Sequence, residues 1–194
     1  GSGDHGSHLD RAPRMLWWRS SRSYSERLWA PAIESGYERL GNSGQLVAQC
    51  PDAWDFLIDP AGVGEAAGWY RDGDLGGNWQ PLPTYSSTWS QEGLHYYKGD
   101  AWYRTRLDVP AGYHGDRMYL WFGGVDEYAK VWLNGQLLGT SSEPGHGLPG
   151  AAGTFKPFEF DVTDKVRPGA SNTLAVRITN ERVNEVGTGG IVAP

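Results

Sequence analysis

From Trp54 onward the chain repeats one pattern: a short run in which apolar and polar residues alternate, then a glycine, proline or asparagine that ends it. Alternation with a period of two puts every second side chain on one face of a strand. In residues 102–109, Tyr103, Thr105, Leu107 and Val109 share one face, and Trp102, Arg104, Arg106 and Asp108 share the other. Residues 128–133 alternate again, with Ala129, Val131 and Leu133 on one side. Asn134-Gly135 follows at once, a dipeptide suited to a hairpin turn with positive φ at both central residues, and residues 136–138 are the return strand. Phe158, Phe160 and Val162 alternate with Glu159 and Asp161, and Leu174, Val176 and Ile178 with Ala175 and Arg177. Residues 118–122 form a continuous apolar run, which predicts a buried central strand. Many short strands separated by turn signals predict an all-β antiparallel sandwich, and no internal repeat suggests otherwise.

Composition narrows the function. With 194 residues the chain has room for one domain, and not for a (β/α)₈ barrel, which alone takes about 250 residues, plus anything else. Ten tryptophans and ten tyrosines exceed what one core needs, so some are expected at the surface, where flat rings stack on flat ligands. A net charge of −6 without a basic stripe argues against a nucleic-acid partner. No run of about 18 apolar residues predicts a membrane span. Cys50 is the only cysteine, so no internal disulfide forms, and a buried, unreactive thiol is expected.

Residues 1–8 read as a cloning scar. Residues 9–50 form an N-terminal extension, and within it Trp29, Ile33, Tyr37 and Leu40 recur at helical spacing, predicting a short helix over residues 32–40. The sandwich is expected over residues 51–194. Two long loops are predicted inside it. One, residues 76–101, carries Trp79, Tyr85, Trp89, Tyr96 and Tyr97; the other, residues 140–156, is rich in glycine and proline.

The ordered set of motifs resembles the sugar-binding domain of family 2 glycoside hydrolases, such as β-galactosidases. Asp59-Pro60, Gly68-Trp69-Tyr70 and Trp79 are similar to its opening, as are Ala101-Trp102-Tyr103-Arg104 and Val109-Pro110. Phe122-Gly123-Gly124-Val125-Asp126, leading into Val131-Trp132-Leu133-Asn134-Gly135, resembles its central hairpin. Pro157-Phe158-Glu159-Phe160-Asp161-Val162-Thr163, Asn172-Thr173-Leu174-Ala175-Val176-Arg177 and Gly189-Gly190-Ile191 complete the order. The resemblance implies a jelly-roll sandwich of the galactose-binding-like type, without catalytic residues of its own because the family's acids sit in a barrel domain. It implies a carbohydrate ligand and the catalytic domain of a parent enzyme as partners, and favours an extracellular or periplasmic location. No cofactor is expected; a structural calcium would suit this sandwich type but leaves no motif.

The candidate site follows from the same resemblance, in which the loop before the Trp-Tyr-Arg strand and the loop before the small-small-Ile stretch meet at one end. The first supplies Tyr96, Tyr97, Lys98 and Asp100, and the second Glu181, Arg182, Asn184 and Glu185. Trp89 and Tyr85 are the candidate stacking platforms; the alternative is that the loop folds back and buries its own rings. Trp54, Trp69, Trp121 and Trp132 are expected in packing roles. Asp126 and Glu127 are adjacent, so on a strand they point to opposite faces and make a poor hydrolytic pair. Asp52, Asp55 and Asp59 are spaced as caps or solvated turn residues, and the histidines have no metal-ligand spacing. Two rival functions remain: a brace for a catalytic barrel without a ligand, and, ranked last, an enzyme built on Tyr97, Arg104 and His95.

Overall fold

The computed structural model describes residues 47–84, 86–112, 117–141, 158–181 and 189–193. The proposed scar, the extension's helix and most of the 140–156 loop lie outside them. The strands are β1 (Ala53–Asp59), β2 (Gln80–Pro83), β3 (Gly99–Asp108), β4 (Tyr119–Phe122), β5 (Gly124–Asp126), β6 (Tyr128–Leu133), β7 (Gln136–Thr140), β8 (Phe158–Asp161), β9 (Ser171–Asn180) and β10 (Gly190–Ala193). A single helical turn, α1 (Gly64–Ala67), follows β1. A six-stranded sheet runs in the order β2-β1-β3-β9-β6-β7, and β5 pairs with β10 and β4 with β8. Every one of these pairings is antiparallel.

The alternation read in the sequence sorts the side chains as expected. Tyr103, Ala129, Val131, Leu133, Leu174, Val176 and Ile178 point from the large sheet into a core shared with Phe122, Val125, Phe158, Phe160 and Ile191 of the smaller pairs. Each fully buried large apolar side chain there contributes about 1.5–3 kcal/mol. The opposite face of the large sheet has a second, aromatic layer. Trp102 and Trp132 stack at 5.1 Å, Tyr70 stacks on Trp132 at 5.3 Å, and Trp69 meets Trp102 edge-on at 6.1 Å. The segment after β1 thus lies across the sheet, tied down by Glu65, which accepts from Lys130 at 2.6 Å and Arg177 at 2.7 Å.

Polar residues fix the turns. Asn134 and Gly135 have φ of 52° and 78°, as the hairpin requires. Asp59, 3 % exposed, accepts from the Val63 and Gly64 amides and from the Trp102 indole, so it caps α1 rather than solvating a turn. Asp161 accepts from the Thr163 amide and hydroxyl. Cys50 packs against the core, and burial pushes its thiol up to about 12, so it is inert.

Two expectations need correction. Residues 76–101 are not one loop, because β2 occupies Gln80–Pro83 and β3 begins at Gly99. Pro81 and Pro83 hide β2 in the sequence, yet β2 is an edge strand, where a missing amide donor is tolerated. Residues 118–122 do not form a central strand either; among the described residues β4 pairs with β8 alone. Its outer positions, Tyr119 and Trp121, are not fully buried, so a continuous apolar run concealed a strand with one outward face.

Candidate functional site

Register decides which loops meet. Gly99 at the start of β3 stands opposite Asn180 at the end of β9, and Asp100 stands between Thr179 and Asp59 at the end of β1. β6 begins at the same end, with Tyr128 opposite Thr179. Asp126, at the end of β5, pairs with Gly190, where β10 begins. The start of β3, the end of β9, the start of β10 and the Asp126–Tyr128 connection therefore share one end of the sandwich.

The expected residues divide at this end. Tyr96 is 79 % exposed, and its ring meets His95 edge-on at 4.7 Å. Tyr97 is half-buried; its hydroxyl donates to the Asp100 carbonyl at 2.5 Å and its ring packs against Trp89 at 5.6 Å. Burial, then the neighbouring Asp59 and Asp100 carboxylates, hold its phenol above the usual tyrosine value. The Asp100 carboxylate is occupied by the sheet, accepting from the Thr179 hydroxyl at 2.6 Å and lying 3.7 Å from Arg177. Lys98 and Glu181 are exposed. Tyr85, Arg182, Asn184 and Glu185 lie outside the described residues.

Trp89 is a correction. It is 1 % exposed, so it is no stacking platform. The loop folds back, the Leu94 amide donating to the Trp89 carbonyl at 2.7 Å and the Trp89 amide to Gly189 at 3.1 Å. The indole donates to the Tyr103 hydroxyl at 2.8 Å, deep in the core. A buried indole with its one donor satisfied has no face or polar atom left for a ligand. The two glycines after the second loop are needed here: a Cβ on Gly190, whose φ is 99°, would sit 2.7 Å from the Tyr103 hydroxyl and 3.0 Å from the Trp89 ring.

Sequence reasoning missed Asn180, Glu127 and Tyr128 as members of this end. Asn180 is the last residue of β9 and is buried. Glu127 lies between β5 and β6, and the Glu181 amide donates to its carboxylate at 3.4 Å. Tyr128 is 39 % exposed. The signal available was the end of each alternating run, since residues that close neighbouring antiparallel strands gather at one edge. Asp126 is buried, while Glu127 is half-exposed beyond the strand. Arg104 reaches instead to the Arg71 and Gly73 carbonyls on the outer face, away from Tyr97 and His95. Among the described residues no group of three or more His, Cys, Asp or Glu side chains is placed to hold a metal ion.

Residues 83–186 match the family model described as a glycosyl hydrolase 2 galactose-binding domain-like domain. The chain belongs to that family. The family 2 domain is 30 % identical over 128 residues to a β-glucuronidase of Paenibacillus borealis, covering 66 % of this chain and 20 % of that protein. It is 31 % identical over 98 residues to a β-galactosidase of Thermoanaerobacter pseudethanolicus, covering 47 % of this chain and 12 % of that one. A solved β-glucuronidase from Ruminococcus gnavus, in complex with uronic isofagomine, superposes with a TM-score of 0.57 at 26 % identity, over 69 % of this chain and 21 % of that one. The family 2 domain thus spans about a fifth or less of these relatives. In such enzymes it is an N-terminal part, and catalysis lies in other domains.

Proposed function

We propose that this family 2 domain is a non-catalytic carbohydrate-binding domain, which presents the end formed by β3, β9 and the Asp126–Tyr128 connection to a sugar beside the catalytic domain of a parent glycoside hydrolase. The observation that carries the reading is the gathering at that end of an exposed ring, Tyr96, with Lys98, Glu127, Tyr128 and Glu181. An aromatic face takes the C–H face of a pyranose, and carboxylates and an ammonium pair with its hydroxyls. Affinity for one sugar is modest, because an open platform buries little area and each hydroxyl gives up water. Saturation-transfer NMR with methyl β-galactoside and methyl β-glucoside tests it. Transfer should appear for at least one glycoside and fall several-fold in Tyr96→Ala; transfer that Tyr96→Ala leaves unchanged counts against this end.

A second reading, a brace with no ligand, is favoured by the apolar side chains nearby. Ile58 and Val63, on either side of the β1–α1 turn, are 38 % and 50 % exposed. Such a patch suits contact with another domain. Under that reading no glycoside gives transfer, and the isolated chain self-associates in sedimentation.

A further inference from the structure

We infer that Asn134 is a deamidation site gated by unfolding: the closed hairpin suppresses the reaction, opening releases it, and the product does not refit the turn. Of the asparagines in the sequence, only Asn134 precedes a glycine. Glycine has no Cβ, so in an open chain its amide nitrogen approaches the preceding side chain without hindrance. The reaction needs water and no oxidant or reductant. The Gly135 nitrogen gives up its proton and bonds to Cγ of Asn134, the Cγ–Nδ2 bond breaks, and Nδ2 takes up a proton and leaves as ammonia. Water then opens the cyclic imide at either carbonyl. One opening gives aspartate; the other gives isoaspartate, in which the main chain runs through the side-chain carbons.

In the fold every polar atom of that carboxamide is held. Nδ2 donates to the Lys165 carbonyl at 3.0 Å and to Asn172 Oδ1 at 2.8 Å, and Oδ1 accepts from the Thr173 amide at 3.0 Å. The Asn134 main-chain amide donates to the Thr173 carbonyl at 2.8 Å. Presenting Cγ to the Gly135 nitrogen turns the carboxamide away from these partners and breaks its three bonds together, so the attack requires the hairpin to open first. The product meets the same partners with the wrong atoms. Nδ2 carries two hydrogens; the aspartate oxygen that replaces it carries none and faces two acceptors. Asn172, which is fully buried, has no freedom to turn its own amide in compensation. Its Nδ2 donates to the Leu107, Arg167 and Ala170 carbonyls, and its Oδ1 accepts from the Arg167 amide at 2.8 Å. Isoaspartate adds a main-chain carbon to a two-residue turn whose length sets the register of β6 on β7.

The test incubates this chain in mildly alkaline buffer, folded and unfolded in urea, and reads deamidation at Asn134 by peptide mass mapping. A synthetic peptide of residues 131–138, incubated in both buffers, separates the effect of urea on the chemistry from the effect of the fold. The folded chain should react at least about tenfold more slowly than the unfolded chain, and the unfolded chain should match the peptide. Equal rates in the folded and unfolded chains overturn the gating. The fit of the product is read in two further ways. Asn134→Asp should unfold at a lower urea concentration than the parent. Chains that have reacted in urea should, on dilution, collect in the protease-sensitive fraction while unreacted chains refold. A parent-like urea midpoint for Asn134→Asp, or reacted chains that refold alongside the unreacted ones, overturns the misfit of the product.

Discussion

Trp89 shows how far one residue's role depends on what the chain does around it. Its neighbours in sequence are polar, and the loop signals around it are strong, so a surface ring is a fair expectation. The fold instead uses it as the bolt between the loop before β3 and the start of β10, with Phe56 at 6.0 Å, Tyr97 at 5.6 Å and the Tyr103 hydroxyl on its indole. Trp89→Ala should therefore act on stability, costing about 3–5 kcal/mol. Equilibrium urea unfolding measures it, and a loss under about 1 kcal/mol would show that the ring is not packed as described. No single-residue rule could have told Trp89 from Tyr96. The distinction needs the partner surface, here Gly189 and Gly190, which only the register of β10 on β5 brings into place.

Elements were legible where a period of two meets one buried face. β3, β6, β7, β8 and β9 appear where alternation places them, and the Asn134-Gly135 turn has the backbone it implies. The signal fails where that condition fails. β2 carries prolines that only an edge strand accepts, and β4 is apolar on both faces without being central. The single turn of α1 is too short for periodicity to reveal, yet it anchors the layer over the large sheet through Glu65. The hydrogen bond from Lys130, reinforced by Arg177, holds the Glu65 carboxyl below the usual value near 4.5. A depressed folded value means stability that is present above about pH 4.5 and lost as pH falls through the folded value. Glu65 is 39 % exposed, so screening keeps the contribution under about 1 kcal/mol. Thermal melts should show Glu65→Gln less stable than the parent near neutral pH, with the gap shrinking as pH falls below about 4.5 and through the folded value. A difference that persists unchanged in acid would mean that packing, and not the ion pairs, sets the effect.

For the whole molecule, the sandwich class was legible because it depends on strand order, which the motifs preserve. The composition of the end where β3 starts and β9 stops was not. It is set by residues that close strands, Asn180 and Asp126, and by Glu127 just beyond one, and a period-of-two reading says least where a strand stops. Under the proposed function the sugar sits at this end, and neither the β4–β8 face nor the Asn134-Gly135 hairpin takes it. Amide chemical-shift mapping with a β-glycoside tests that assignment most directly. The predicted result is saturable shifts confined to residues around 96–100, 126–128 and 180–181. Shifts centred on β4 and β8 or on the hairpin, with those residues unmoved, would contradict it.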